Sequence, residues 1–469
     1  MSQIPILSGI YTDNGPELRS SYPVNLVPVP KDSGISQGYL RPGDGIAQNG
    51  TGPGIGRGGI NWNGRCYRVM GGNLVGVGPT GNTSVLSTIG LPGSDQVSMT
   101  YSFDLLAIAA GGGLYYWNGA QLLQVTDSDL GTVVDVVWVD GYFMTTDGTN
   151  LVVTELTDPF SVNPLKYGSS EADPDPVVAL KKIRNEVYAV NRYTIEVFDN
   201  VGGSFFPFQR IEGAQIQKGA VGTHACCVYM ESVAFVGGGR NEPPGVYVGV
   251  NATVTKISTQ EVDTILATFT EEELAGVLLE SRVDRNNHFL LVHLPDRTLV
   301  FDGAVGETVG GPVWFTHTTS VVGFAQYRAR NFVWCYNQWL VTDPKSAAVG
   351  YMTQDVGSHW GEKVRWEFGT LIVYNGGMGA IFNELELVAL PGRIALGDDP
   401  QISTSYSLDG EVWSQDRYIS CGKRGDRNKR LVWRRQGVMQ NWRVQRFRGD
   451  STARLSFIRL EARLEPLAV

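Results

Sequence analysis

The stretch Phe269–Asp302, FTEEELAGVLLESRVDRNNHFLLVHLPDRTLVFD, changes from a helical to an extended grammar and decides how the rest of the chain is read. Thr270-Glu271-Glu272-Glu273 spells a capping box, in which the Thr hydroxyl takes an orphan N–H and Glu273 reaches back. The three carboxylates also favour the positive end of a helix dipole. A short helix carrying Leu274, Val277 and Leu278 on one face is expected to follow. His288–Leu294 and Thr298–Phe301 then read as two paired strands turning through Pro295-Asp296-Arg297.

Outside this stretch the chain is written almost wholly in strands and turns. Glycine contributes 58 of 469 residues without a collagen period, which suits a chain dense in tight turns. Trp62-Asn63-Gly64, Trp117-Asn118-Gly119, Val139-Asp140-Gly141, Thr146-Asp147-Gly148 and Phe301-Asp302-Gly303 set Asn-Gly or Asp-Gly beside apolar residues. Such dipeptides tolerate the paired positive φ angles of a type I′ hairpin. Strand clusters begin near residues 60, 105, 136, 180, 227, 285 and 324. That spacing scatters around roughly 45 residues, the length of a four-stranded propeller blade. A β-propeller of about six or seven irregular blades is therefore expected, although a less regular pair of sandwiches would give similar spacing.

The expected class is all-β, in three parts. Residues 1–59, punctuated by prolines and with a glycine-rich run from Gly50 to Gly59, read as an extended N-terminal arm. Residues 60–358 read as the propeller, with a small helical insert near 259–280. Val262, Ile265, Leu266 and Phe269 fall at helical spacing there, a pattern that more often packs on its parent domain than offers a partner a face. Residues 359–469 read as a C-terminal β-sandwich: Trp366–Phe368, Leu371–Tyr374, Leu385–Val388, Ile402–Tyr406, Leu431–Trp433 and Leu455–Leu460 alternate with period two.

Charge is placed unevenly. Between Arg417 and Arg463 stand 14 Lys/Arg against three carboxylates, a local balance of +11, on a chain whose formal net charge is −9. The remainder is therefore at −20, so the sequence describes an acidic body with one basic end. Five cysteines without a CxxC spacing suggest buried thiols rather than a disulfide framework. Met1-Ser2-Gln3-Ile4 lacks a basic n-region, and the weakly polar run Leu105–Trp117 is too short to span a bilayer, so a soluble protein made in a cytoplasm is expected.

Several motifs tempt and fail. Gly54-Ile55-Gly56-Arg57-Gly58-Gly59 spells GxGxxG, but no helix follows to hold a pyrophosphate. Ser407–Trp413 resembles an Asp-box yet lacks the residue between Asp409 and Gly410, leaving an ordinary turn capped by a tryptophan. His224 near Cys226 and Cys227 has no second ligand pair at zinc spacing, and His288 and His293, five apart on a strand, face opposite ways. Asp173-Pro174-Asp175-Pro176 reads as a linker between blades. Asn82-Thr83-Ser84 and Asn251-Ala252-Thr253 are sequons by spelling only. No nucleophile, acid–base pair, metal set or cofactor site emerges, and a non-enzymatic protein is expected.

The basic end carries the most weight. Arg427, Lys429, Arg430, Arg434, Arg435, Arg443, Arg446 and Arg448 are interleaved with Trp433, Trp442 and Phe447. Arginine with aromatics suits both single-strand nucleic-acid platforms and protein interface hot spots. An acidic chain without a nucleic-acid fold favours the second, so these eight residues form the candidate assembly interface.

In the Phe269–Asp302 region, FTEEELAGVLLES followed by FLLVHLPDRTLVFD resembles the tail hub or nozzle protein of short-tailed bacteriophages, also called the packaged-DNA stabilisation protein. Tyr22–Leu26, Gly38–Gly43, Cys66–Val69 with Gly71–Leu74, Gln215–Thr223 and Arg430–Arg435 match further motifs of that family in order. The similarity runs from about residue 22 to about 461 and thins across 79–170 and 340–410. The resemblance implies a structural virion protein, a homohexameric ring beneath the portal–adaptor complex that closes the channel and retains packaged DNA. It implies tailspike or tail fibre proteins outside, a tail needle or plug below, and passage of double-stranded DNA without sequence-specific binding. It implies no membrane insertion, and assembly in the host cytoplasm. The alternative from another class is a glycan-binding or glycan-hydrolysing propeller, which an aromatic-lined central cleft with converging carboxylates or arginines would support. A cytoplasmic propeller scaffold of cellular origin is a third reading.

Overall fold

The computed structural model describes residues 2–6, 10–11, 20–21, 23–31, 34–87, 89–203, 205–309, 311–390, 394, 398–426 and 428–467. Among the described residues seven antiparallel blades surround an axis, six of them four-stranded and the fifth five-stranded, its inner edge split into Gly219–Ala220 and Cys226–Tyr229. Their innermost strands, in chain order, are Gly56–Trp62, Ser98–Tyr101, Asp135–Val139, Val177–Ile183, Cys226–Tyr229, Leu278–Asp284 and Arg330–Cys335. Each packs beside the next, and the last packs beside the first, so the ring is closed. Every one of the seven seams has its own apolar cluster. Val69, Leu106 and Trp117 fill the seam between blades 1 and 2, and Leu290, Val236 and Val246 fill that between 5 and 6. Cys226 and Cys227, adjacent on a strand, point to opposite seams, and both thiols are pushed up by burial.

Closure uses the chain's beginning. Blade 7 takes Arg330–Cys335, Gln338–Thr342 and Ala348–Thr353 from one end and its outer strand, Gly45–Thr51, from the other. Residues 45–51 and 56–59, expected within an extended arm, are thus propeller strands. Their glycines are close-approach residues: a Cβ on Gly50 would lie 1.9 Å from the Gly81 carbonyl oxygen, and one on Gly58 would lie 2.7 Å from Val97.

The hairpin turns divide. Asn63-Gly64 (φ 52° and 76°) and Asp140-Gly141 (φ 48° and 92°) have both angles positive, as I′ turns require. At Asn118-Gly119 and Asp147-Gly148 only the glycine is left-handed, and the Asn or Asp side chain instead caps the N–H groups two and three residues on. Asp302-Gly303 is no hairpin; a helix, Gly303–Val309, starts there.

The helical insert lies between blades 5 and 6 as α1 (Gln260–Leu266) and α2 (Glu271–Ala275). Its capping box is complete: the Thr270 N–H donates to Glu273 Oε2 at 2.8 Å, and the Glu273 N–H donates to Thr270 Oγ1 at 3.3 Å. Val262, Leu266 and Leu274 are buried on the propeller, with Ile265 and Phe269 packed beside them. The expected helical face is shorter than the sequence suggests, because Gly276 ends the helix and Leu278 already opens blade 6. Thr270→Ala should destabilise the protein by about 1 kcal/mol in urea unfolding, the usual worth of an N-cap side chain.

The second unit is a sandwich of two antiparallel sheets. One contains Ala380–Leu390, Leu431–Arg434 and Ser456–Pro466; the other contains Arg365–Gly369, Gln401–Ser407, Arg417–Ser420 and Trp442–Asp450. Trp366, Phe368, Phe447 and Phe457 stack between them, with ring centroids 4.7–6.2 Å apart. Residues 359–469 do not make this unit alone. Ser2–Ile4, Leu26–Val29 and Tyr39–Pro42 extend the first sheet, and Ile4, Ile6, Leu26 and Leu40 are buried in its core.

The same segment joins the two units. Val24 is hydrogen-bonded in both directions to Glu367 of the sandwich, and Pro23 and Asn25 pair with Thr316 in the outer strand of blade 6. Asn25, at φ 53°, donates from Nδ2 to the Thr318 and Arg365 carbonyls at 2.9 and 2.7 Å, and its Oδ1 accepts the Thr318 N–H. Beneath lie the buried Asp44–Arg282 ion pair and Tyr327, ringed by His293, His317 and His359.

Candidate assembly surface

The strands Arg417–Ser420 and Leu431–Arg434 belong to different sheets and lie side by side at one open edge of the sandwich. Arg417 spans that edge by donating to the Arg434 and Arg435 carbonyls, and Trp433 Nε1 donates to the Arg417 carbonyl at 2.9 Å. The loop between the strands carries Lys423, Arg424, Lys429 and Arg430 into solvent. Arg427 lies outside the described residues.

The seven described residues of the sequence-predicted interface fall into separate environments. Lys429, Arg430, Arg434 and Arg435 share the open edge. Arg430 makes a two-pronged contact with Glu386 at 2.7 and 2.5 Å, which holds the Glu386 carboxyl below its usual range. Arg434 stands 3.6 Å from Glu384 and is 79% exposed. Lys429 reaches only Ser420 Oγ, and Arg435 has no carboxylate partner among the described residues. Among the described residues Lys423, Arg424, Lys429 and Arg435 make no ion pair, so the positive charge of the edge in excess of Asp426 and Asp399 is borne by them.

Arg443, Arg446 and Arg448 lie on Trp442–Asp450, in the other sheet. Arg443 is wholly buried and cannot meet a partner. Its guanidinium sits between the Phe382 and Tyr406 rings, 4.1 and 3.8 Å from their centroids. It donates to Gln445 Oε1 and the Gln436 carbonyl, and loss of water lowers its pKa to about 9. Arg446 stacks on Trp413 at 3.9 Å and donates to Ser405, while Arg448 pairs with Asp416. Together with Arg365 they form a second, half-buried basic patch.

The acidic partners were missed by sequence reasoning because a window from Arg417 to Arg463 excludes them. A signal was present: Glu384 and Glu386, two apart in an alternating strand, must share a face. The Asp409-Gly410 turn is a side-chain-capped loop in the sandwich, with Asp409 Oδ1 accepting the Glu411 and Val412 N–H groups. Asp173 pairs with Arg240, and Asp175 accepts the Tyr193 N–H, so the Asp-Pro repeat pins the passage from blade 3 to blade 4. Among the described residues no group of His, Cys, Asp and Glu is arranged to hold a metal.

A cavity of about 1050 Å³ opens at the propeller axis. Its lining carries no Phe, Tyr or Trp and one carboxylate, Asp95. Of the features expected for a glycan-binding or glycan-hydrolysing cleft, two arginines, Arg57 and Arg330, line it, without Phe, Tyr or Trp and without a second carboxylate. Among the described residues no helix is long and apolar enough to cross a membrane.

Comparison with known proteins agrees with both units. The family model described as "Bacteriophage P22 Gp10, beta-propeller" matches residues 2–357, and that described as "Bacteriophage P22 Gp10, beta-sandwich" matches residues 365–465. The tail hub protein gp10 of Salmonella phage P22 is 26% identical over 462 residues, covering 93% of this chain and 94% of its own. Among solved structures, the Neurospora crassa Pan2 WD40 domain aligns with 66% of this chain and 96% of its own at 10% identity and a TM-score of 0.43. The computationally designed Ika8 protein aligns with 75% of this chain and 100% of its own at 14% identity and a TM-score of 0.38. The family match spans propeller and sandwich in order, and the chain belongs to the bacteriophage P22 Gp10 family.

Proposed function

We propose that this chain is a structural subunit of a phage virion tail, a hub or nozzle that forms a ring below the portal–adaptor complex. In this reading the ring is a homohexamer that closes the DNA channel, retains the packaged genome and anchors tailspikes or fibres outside and a needle or plug below. The observation that carries it is the end-to-end match of both units to the P22 Gp10 family, with the P22 tail hub aligned over nearly its full length. Charge supports it. A head-to-tail ring needs two different complementary patches on each subunit, and an acidic body with an uncompensated basic edge provides them. An acidic body also suits a channel through which DNA slides, since each neutralised phosphate would add affinity by releasing counterions. No catalytic step is assigned, and the purified protein is expected to leave polysaccharide and nucleotide substrates unchanged.

Ring assembly is expected to need a template, because acidic bodies repel until the basic edge is oriented by a neighbouring ring. Sedimentation of the pure protein at micromolar concentration and physiological salt should show mostly monomer. Closed rings should form on addition of portal–adaptor complex. Stable rings of the isolated protein would remove the templating step and leave the tail assignment standing.

A further inference from the structure

The seam between blades 7 and 1 meets the axial cavity at the guanidinium of Arg330, with Arg68 behind it in the same seam and the Glu280 carboxylate the nearest opposite charge among the described residues. Arg330, the first residue of blade 7's inner strand, lines the cavity. Among the described residues its side chain makes no ion pair or hydrogen bond, and its Nε is buried without an acceptor. In the same seam Arg68 is wholly buried. Its Nη1 donates to the Asn331 carbonyl at 2.9 Å, while its Nε and Nη2 have no acceptor.

The neighbouring acids are otherwise engaged. Glu280 accepts the Asn331 and Phe332 N–H groups at 3.0 and 2.8 Å and lies 3.1 Å from His293 Nε2. Arg57, also at the cavity, spends its donors on the carbonyls of Asp95, Gly71, Leu91 and Pro92. His224, on the lining, is held neutral by burial. Asp95 is the one carboxylate of the lining, set against the two guanidiniums of Arg57 and Arg330.

A guanidinium partly withdrawn from water without a hydrogen-bond partner is costly, and its fork here faces the cavity, the one direction from which an acceptor can reach it. The planar fork of Arg330 matches two oxygens of a carboxylate or phosphate. The cavity is of the size that small-molecule sites occupy, and much of its wall is glycine backbone, which leaves room beside the guanidinium. We propose that the axial mouth at the seam of blades 7 and 1 binds a small oxyanion, carboxylate or phosphate, on the guanidinium of Arg330. This site is independent of the tail assignment and lies in the propeller, away from the basic edge of the sandwich.

The test is isothermal titration of the full-length protein with inorganic phosphate and, separately, with succinate, sodium chloride holding ionic strength constant. Saturable one-site binding is expected for at least one anion, and Arg330→Gln should weaken it by about ten-fold or more, the loss of one charge-assisted fork. Should Arg330→Gln not fold, Ser94→Trp, at an exposed position on the rim, fills the mouth and should abolish the same heat. Phosphate alone binding assigns the site to phosphoryl groups, and succinate alone assigns it to carboxylates. The absence of saturable binding of either anion below about 10 mM, or equal binding by the folded Arg330→Gln protein, overturns the proposal.

Discussion

Replacing Lys429 and Arg435 together by glutamate will abolish incorporation of the subunit into tails while leaving its fold intact. Both side chains are exposed, and neither has a carboxylate partner among the described residues, so their reversal breaks no internal ion pair. At an interface with an acidic surface the effect is different in kind. Like charges set against one another there cost several kcal/mol, enough to lower occupancy more than a hundred-fold. Single changes at ion-paired positions are expected to be nearly silent, because exposed pairs contribute little. Particles assembled with the double variant should package DNA and then lose it through an unsealed portal. The variant's urea unfolding midpoint should match that of the wild type. Duplex DNA offers the discriminating control, and it must be tested with the full chain, since residues 2–6, 26–29 and 39–42 complete the sandwich. Tight binding at about 0.15 M salt with a steep salt slope would assign the basic edge to the genome instead of to protein.

Acid will unfold the protein from the junction of propeller and sandwich. His317 and His359 are buried around Tyr327, and burial lowers both from the ordinary 6.5 to about 3; His293 is lowered in the same way. The groups facing them are Arg282, Arg328, Arg330, Asp44, Glu280, Asn25 and Thr319; the arginines further disfavour imidazolium, while Asp44 and Glu280 oppose the fall without reversing it. A histidine whose folded pKa is depressed is fully stabilising above its unfolded value. Its contribution falls as pH drops from about 6.5 towards 3, because only the unfolded state readily takes the proton. At pH 4.5 each of the two should have lost on the order of 2–3 kcal/mol, and the pair, which also repel one another when charged, several kcal/mol together. That is a large part of a typical domain's stability. Asp44 adds to the trend at lower pH, since its arginines hold its carboxyl below the usual range. The measurement is denaturant stability against pH for wild type and His359→Asn. A slope between pH 6 and 4 shallower by about one proton is expected in the variant, and an unchanged slope would contradict the assignment.

Much of this architecture was legible in the sequence, for identifiable reasons. Inner strands and capping box announce themselves through local pattern: an Asn-Gly between apolar runs, a Thr three residues before a Glu. The N-terminal strands did not, because Gly50 and Gly58 serve close packing and spell a loop to any reading of composition. Hairpins at Met230-Glu231, Asn251-Ala252 and Tyr336-Asn337 take positive φ without the Asn-Gly or Asp-Gly spelling, their conformation imposed by the paired strands on each side. The basic end was legible as charge but not as surface. Period two places Arg446 and Arg448 outward on their strand and Arg443 inward with Phe447, yet nothing local shows that Arg443 lies between the Phe382 and Tyr406 rings. Nor does a linear window reveal that Arg430 and Arg434 meet Glu386 and Glu384 across the sheet.

The most direct test of the tail assignment is electron microscopy of the purified protein mixed with its phage's portal–adaptor complex. The account predicts a six-fold ring added coaxially below the adaptor, with the sandwich's basic edge at a contact between rings or between neighbouring subunits. A portal–adaptor complex unchanged in length and mass after mixing with folded, monodisperse protein would contradict it.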